Sequence, residues 1–364
     1  MTGLLLSPLD SLHRARGAYF TEFGGWELPQ YFASDLAEHH AVRQAAGLFD
    51  LSHMAQFDLH GDGVGAGLDF ALLSQHSDMP VGRAAYSMLL TDQGTVIDDL
   101  IVYRLAEDHW YIIANAANRT VVATELAARL AGFHARLEDI TLESALIAVQ
   151  GPQSLAILTA AGLPEVQALG YYRATSMTLG GVPLVLSRTG YTGETGFEVA
   201  CPKAAGPDLW QSFERAGESY GLRLCGLACR DSLRLEAGMP LHGHELDRQT
   251  TPVEGGQGWL LRRPKAADYV GKAALLKAQP RKQLIGLAGS GRRAARAGYP
   301  VLRAGRPAGQ VTSGVLSPTL GHPIAMAFVT GTKPHVGEVC QVDIRGQLTD
   351  FTVTAIPFLK SKPE

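Results

Sequence analysis

The chain has 364 residues, 46% of them apolar and 18% charged, with 32 Lys and Arg against 35 Asp and Glu for a net charge of −3. That balance excludes a disordered chain and supplies no field able to recruit nucleic acid or an anionic membrane. No apolar run approaches the ~18 residues of a spanning helix, the first residues lack the basic flank of a secretory signal, and the length suits two or three domains of roughly 150 residues.

Taken in chain order, Ser34 is placed to cap a helix that Gly47 closes, followed by extended chain from Leu48 to His60. A glycine-rich turn over 61–67 leads into a helix ending near Leu73. The segments 85–90 and 96–103 flank Thr-Asp-Gln-Gly (91–94) and read as a hairpin. A strand at Trp110 precedes a helix begun by Asn118 and ended near Gly132. Leu146–Gln150 reads as a strand, and the helix after it carries Pro152 in its first turn. Strands over 184–188 and 197–200 flank a Gly/Thr-rich turn, and helices follow over 207–217, 227–237 and 270–277. From about Gln283 helical periodicity disappears and short alternating segments are cut by many glycines, the texture of a small all-β barrel. The expected fold class is therefore α+β, with two α+β subdomains over 1–280, antiparallel sheets, and an all-β barrel over 281–364.

Several motifs carry no weight. Gly61-Asp-Gly-Val-Gly-Ala66 fits a dinucleotide fingerprint, but the next strands form a hairpin and no acid ends a second strand at the required distance. Gly289–Ala294 fits the same pattern with no helix after it. The four cysteines, Cys201, Cys225, Cys229 and Cys340, are too few for a disulfide framework and suit a reducing cytoplasm. Cys225 and Cys229 stand one helical turn apart without the second ligand pair that zinc needs, so no metal is expected.

Four stretches are polar where folding alone would not require it. Gly-Trp-Glu-Leu-Pro (25–29) is one. In Val96-Ile-Asp-Asp-Leu-Ile-Val two carboxylates interrupt an apolar strand; one must face inward or into a cleft, and periodicity does not say which. Between Ser187 and Glu198, three glycines, three threonines, Tyr191 and two acids would let backbone approach a ligand that an aromatic ring stacks on. On the 227–237 helix, Arg230 and Arg234 share a face and call for an anion or for several carboxylates.

These stretches, with Leu-Phe-Asp-Leu-Ser-His-Met (48–54), Asn115-Ala-Ala-Asn, Leu-Ile-Ala-Val-Gln-Gly-Pro (146–152), Arg-Thr-Gly-Tyr-Thr-Gly-Glu (188–194), Arg-Asp-Ser-Leu-Arg-Leu-Glu-Ala-Gly (230–238) and Thr-Ser-Gly-Val-Leu-Ser-Pro-Thr (312–319), resemble the aminomethyltransferase (T-protein) family of the glycine cleavage system. The resemblance spans almost the whole chain in family order. It implies a cloverleaf of three subdomains, the last a barrel, with a folate site. It also implies an enzyme moving a methylene unit from the aminomethyl-lipoyl arm of H-protein to tetrahydrofolate, with release of ammonia and without a metal; a cytoplasmic location is expected from the missing targeting segment. Residue by residue it makes Asp99 the catalytic carboxylate, Glu198 the pterin-binding acid and Arg230 a further folate contact, with Tyr86, Asn115, Tyr171 and Tyr191 lining the pocket.

The match departs at Pro357–Glu364, where many relatives carry a longer basic tail and only Lys360 and Lys362 stand here. Two alternatives remain within the fold. One is a folate-dependent demethylase of another donor, usually fused to a flavin domain for which there is no room. The other is a non-catalytic folate-binding accessory protein, whose Lys-Gly-Cys-Tyr-x-Gly-Gln-Glu signature is replaced here by Arg-Thr-Gly-Tyr-Thr-Gly-Glu.

Overall fold

The structure, a computed structural model, describes residues 3–263 and 265–360; Lys362 lies outside them. Two compact units emerge. One comprises Met1–Leu89, Ile97–Arg230 and Lys265–Val270, the other Leu90–Val96, Asp231–Pro264 and Gly271–Glu364.

In the first unit a six-stranded sheet runs in the order Ala174–Leu179, Val182–Ser187, Gly196–Pro202, Ser144–Gln150, Ala46–Asp50, Leu222–Cys225. Every pair is antiparallel except the last, which is parallel. Ile147, Val149, Leu186, Phe197 and Val199 pack against Ile157 and Leu158 of one helix and Trp210 and Phe213 of another. Each such fully buried large side chain contributes roughly 1.5–3 kcal/mol. A five-stranded sheet runs Ala84–Leu90, Val96–Arg104, His109–Ala114, Ala55–His60, Arg136–Asp139. Its Phe57, Leu59, Leu100, Val102 and Ile112 are covered by Val64 and Leu68 of the Val64–Ala71 helix and by Val122, Leu126 and Leu130 of the Arg119–Leu130 helix. A small sheet of Leu5–Leu6, Trp26–Tyr31 and Tyr19–Phe23 completes the unit.

The second unit contains a closed barrel of Lys282–Gly289, Pro323–Thr330, Arg306–Leu316, Pro300–Arg303, Val339–Ile344 and Gln347–Thr354, in that spatial order. Leu287, Val301, Val311, Ala325, Ala327, Val342, Phe351 and Val353 fill it. The alternation of apolar and polar residues after 283 is the pleat of these strands. The mixed α+β class with a terminal barrel is thus what the sequence texture indicated.

Local readings differ in places. The Ser34 hydroxyl accepts from Ala37 N, as expected of a cap, but the helix stops at Gln44 and Gly47 is not its terminator. Gly47 lies in a strand, where a Cβ would meet Val42 and the Cys225 sulfur, so close packing explains it. The helix expected after the 61–67 turn opens inside it, at Val64. Pro152 falls before the Ser154–Ala160 helix, not in its first turn. The dinucleotide-like segment does join a strand to a helix, but that strand has antiparallel neighbours on both sides. Among the described residues no helix is long and apolar enough to cross a membrane.

Candidate functional site

The Val96–Arg104 strand settles which way each paired carboxylate faces. Asp98 has the parity of Leu100 and Val102, which the helices cover, and it is fully buried. Three amide groups meet it. Asn115 N and Nδ2 donate at 3.0 and 2.8 Å and Asn118 Nδ2 at 2.7 Å. Asn118, expected as a helix cap, makes no capping bond and gives its side chain to Asp98 instead. Burial, then the neighbouring charge of Asp99, push the Asp98 pKa well up against the pull of these amides. Asp99 is only partly buried. Its Oδ2 accepts from the Tyr86 hydroxyl at 2.9 Å and its Oδ1 from Asn115 Nδ2 at 2.9 Å. Burial and Asp99 together hold the Tyr86 phenol well above its usual pKa, so it stays a donor.

Glu198 sits in the Gly196–Pro202 strand of the six-stranded sheet, where its side chain is buried. It accepts from the Thr189 hydroxyl, which Tyr103 approaches at 3.3 Å and Ser187 at 2.9 Å. Burial raises the Glu198 pKa, opposed by Thr189, by the charge of Arg230 and by Tyr103. Arg230 lies over the Tyr191 ring, 4.7 Å from its centroid. Burial lowers the affinity of Arg230 for its proton, while Tyr191 and Glu198 restore part of it.

Asp99, Tyr86 and Asn115 are therefore joined by hydrogen bonds, and Glu198, Arg230 and Tyr191 by charge and stacking. The two groups meet through tyrosines: Tyr86 feels Asp99, Tyr191 and Tyr172. Tyr171 is 60% exposed and touches the cluster only through Tyr172, whose ring lies edge-on at 4.9 Å. Tyr172 itself is half-buried, carries a positive φ of 54°, and is held above the usual tyrosine range by burial, Tyr171, Glu198 and Asp99. Sequence reasoning named Tyr171 and not Tyr172, because a doublet of identical residues offers no signal to choose by. It also missed Thr189, Tyr103 and His53. His53 belongs to the 48–54 motif, is buried, and is brought down to about 4 by burial and the charge of Arg230.

The loop over 188–195 does not hold its glycines for a ligand's approach alone. A Cβ on Gly190 or Gly196 would fall inside the carboxamide of Gln150. Gln150 donates to Thr189 O at 3.1 Å and accepts from the Thr192 hydroxyl at 2.9 Å. Arg43 donates to Thr192 O at 2.7 Å and to Glu194 at 3.0 Å. These contacts set the loop that carries Thr189 and Tyr191. Arg230 and Arg234 do not act together either: Arg234 belongs to the second unit, where Asp231 and Glu245 neutralise it.

Two groups among the described residues offer metal-type ligand atoms within 4.8 Å of one another: Glu38, Cys225 and Cys229, and Asp58, His60 and His109. In the first, the Glu38 carboxylate already accepts from Phe32 N, Ala33 N and Gly226 N at 2.7, 3.2 and 3.0 Å, and burial pushes the Cys225 thiol well up. In the second, Asp58 already bonds His109 at 2.6 Å and His60 at 2.9 Å.

Comparison with known proteins identifies the family of the chain. Residues 9–265 match the model of the GCVT N-terminal domain, and residues 282–360 that of the glycine cleavage T-protein C-terminal barrel domain. An aminomethyltransferase of Cutibacterium acnes is 46% identical over 370 residues, covering 99% of this chain and 100% of that one. An aminomethyltransferase of Saccharopolyspora erythraea is 47% identical, covering 97% and 98%. The crystal structure of the glycine cleavage system aminomethyltransferase T from Bartonella henselae superposes with a TM-score of 0.93 at 34% identity, over 99% of both chains. With both halves matched and full-length relatives this similar, the chain belongs to the glycine cleavage T-protein family, the aminomethyltransferases.

Proposed function

We propose that the protein transfers the methylene unit of aminomethyl-lipoyl H-protein to tetrahydrofolate, yielding 5,10-methylenetetrahydrofolate, ammonia and dihydrolipoyl H-protein. The observation that carries the reading is Asp99. It is a partly open carboxylate in an apolar strand, oriented by a phenol and an amide. It stands in one cluster with a buried acid, Glu198, and a stacked arginine, Arg230.

The residues present fit a reduced folate. A pterin edge offers adjacent N–H donors, and Glu198 is a two-oxygen acceptor in a dry setting with Arg230 to neutralise it. Tyr191 and Tyr172 add aromatic surface. The carbon exchanges its bonds to the amino nitrogen and the lipoyl sulfur for bonds to N5 and N10 of the folate, whose two protons leave with ammonia and the dihydrolipoyl thiol, and as ammonia departs the carbon takes on cationic, iminium-like character. Asp99 supplies a fixed negative charge there, held in place by Tyr86 and Asn115 before the reaction begins, so its reorientation costs nothing at the transition state. Holding both substrates in line contributes a further large part of the acceleration. No step assigned to these residues needs a metal.

The test is tetrahydrofolate-dependent ammonia release from aminomethyl-loaded H-protein, with Asp99→Asn alongside. Release is expected to require folate and to fall at least ~100-fold in the variant, the scale of a lost preorganised charge, while folate affinity stays within a few-fold. Folate binding without release would shift the reading to another donor or to a folate-binding accessory protein.

A further inference from the structure

Asp98 and Asp99 project from opposite faces of one strand, yet a single amide joins them. Asn115 Nδ2 donates to Asp98 Oδ1 at 2.8 Å, to Asp99 Oδ1 at 2.9 Å and to the Asp99 carbonyl at 3.1 Å. An amide has two N–H bonds, so one points to the Asp98 side and the other is shared by two oxygens of Asp99. Asn115 can span the strand because it lies just past the end of the neighbouring strand, His109–Ala114, where the chain turns into Ala116–Asn118.

Asp98 holds that bridge in register. It takes the backbone N–H of Asn115 on one oxygen, and the side chains of Asn115 and Asn118 on the other. A second bond from Asn118 Nδ2 to Ile97 O, at 3.3 Å, ties the same assembly to the strand. A carboxylate at zero exposure costs several kcal/mol unless its lone pairs are filled. Here three donors meet it, and every one belongs to an Asn that reaches Asp99 or abuts the Asn that does. Folding alone would be served by an apolar residue at 98, in line with Leu100 and Val102.

We propose that Asp98 is a positioning residue: its buried carboxylate gathers Asn115 and Asn118 and so keeps the Asn115 amide on Asp99, fixing the direction in which that carboxylate faces the substrates. This rests on Asp99 being the acting group of the proposed transfer. Tyr86 orients the other Asp99 oxygen. With Asn115 misplaced, Asp99 keeps its charge and the Tyr86 bond but loses the amide that fixes the turn of its carboxylate. The consequence belongs to the transition state, not to folate affinity.

The experiment is a double-mutant cycle on the full-length enzyme with Asp98→Asn, Asp99→Asn and the pair, reading kcat, KM for tetrahydrofolate and thermal midpoint. Asp98→Asn keeps one acceptor oxygen and turns an amide N–H2 toward at least one of the three donors. It is expected to lower kcat on the order of 10- to 100-fold, the effect of small misplacement at a reacting group, with KM changed less than about 3-fold. In the Asp99→Asn background the same change should lower the rate no further, because there is no oriented carboxylate left to lose. Wild-type kcat in Asp98→Asn, or losses that multiply in the pair, would overturn the proposal. If Asp98→Asn does not fold, Asn118→Ala takes its place. It removes one donor from Asp98 and leaves Asn115 intact, and its smaller loss must likewise vanish beside Asp99→Asn. An Asp99→Asn enzyme as fast as wild type would remove the functional reading and this proposal with it. A slow Asp99→Asn beside an unaltered Asp98→Asn removes this proposal alone.

Discussion

Two buried acids of the first unit, Asp50 and Glu198, are driven in opposite directions, and the difference lies in their partners. Burial alone would raise both. At Asp50 the hydrogen bond and charge of His13, with Ser52 N and the Ser7 hydroxyl, more than cancel it and bring the carboxyl from an ordinary 3.8 down to about 2. An acid with a depressed folded pKa adds stability above its unfolded value and loses it as pH falls through the folded one. At roughly 1.4 kcal/mol per unit this is worth about 2–3 kcal/mol, present above pH 4 and mostly lost by pH 2. Asp50→Asn should lose about that much in urea unfolding at pH 6 and show a flatter stability profile between pH 4 and 2. At Glu198 the balance is reversed: burial outweighs Thr189, Arg230 and Tyr103. Its ionised form is therefore a cost that appears as pH rises through its raised pKa. Glu198→Gln should raise the urea midpoint at neutral pH while weakening tetrahydrofolate binding, a trade of stability for function. A gain in affinity would remove Glu198 from the pterin edge. Asp50 was not singled out, and Glu198 stood out only as an acid beside a Gly/Thr-rich turn; Asp98 and Asp99 were legible in the sequence because a charge inside an apolar strand demands explanation. Thr189, Tyr103 and Tyr172 were not, since nothing local announces a neutral residue whose partner lies tens of positions away.

Whole elements were legible in proportion to how local their causes are. The Asp35–Gln44, Arg119–Leu130 and Gly206–Gly217 helices and the 84–104 hairpin follow from periodicity, caps and turn residues, and they fall where the sequence put them to within a few residues. The exceptions are glycines that serve distant contacts. Gly47 looks like a helix terminator but makes room for Val42 and Cys225. Gly190 and Gly196 look like ligand-facing flexibility but make room for Gln150, which is itself 1% exposed. That close approach yields a paired prediction. Neither glycine has a positive φ, so alanine is strained only by the space Gln150 fills. Gly190→Ala should cost ~1–3 kcal/mol, the scale of core overpacking, and should disturb the loop bearing Thr189 and Tyr191. Gln150→Ala removes bonds to Thr189 O and from Thr192 and should be destabilising in its own right. Because it empties the space, Gly190→Ala added to it should cost much less than in the wild type. Strict additivity in chemical unfolding would show that Gly190 is required for some other reason.

For the molecule as a whole, texture and packing divide the chain differently. The pattern changes from helical to alternating near residue 280, and the barrel strands begin at Lys282. Yet residues 231–264 belong to the barrel's compact unit, and the Leu227–Glu236 helix enters it at Asp231. What holds that half of the helix is charged, and hydrophobic periodicity is blind to it. Glu236 accepts from Ser317 Oγ at 2.5 Å and from Thr319 N and Oγ1 at 3.1 and 2.8 Å. Arg234, 1% exposed, donates to Ser313 Oγ at 2.8 Å, to Met239 O at 3.2 Å and to fully buried Glu245 at 3.2 Å. It also pairs with Asp231, which is half-exposed. The two ion pairs of Arg234 should therefore count very differently. Asp231→Asn removes a partner that water can replace and should cost under ~1 kcal/mol. Glu245→Gln leaves the buried Arg234 cation short of its dry counter-charge and should cost ~3–5 kcal/mol, enough to dominate the unfolding of this unit. Arg234→Met strands Glu245 instead and should cost as much, whereas Arg234→Met with Glu245→Gln should recover a large part of either loss. Equal, small costs for Asp231→Asn and Glu245→Gln in denaturant titrations would mean that apolar packing of Leu235 against Ile324 and Met326, and not the buried charge, joins this helix to the barrel.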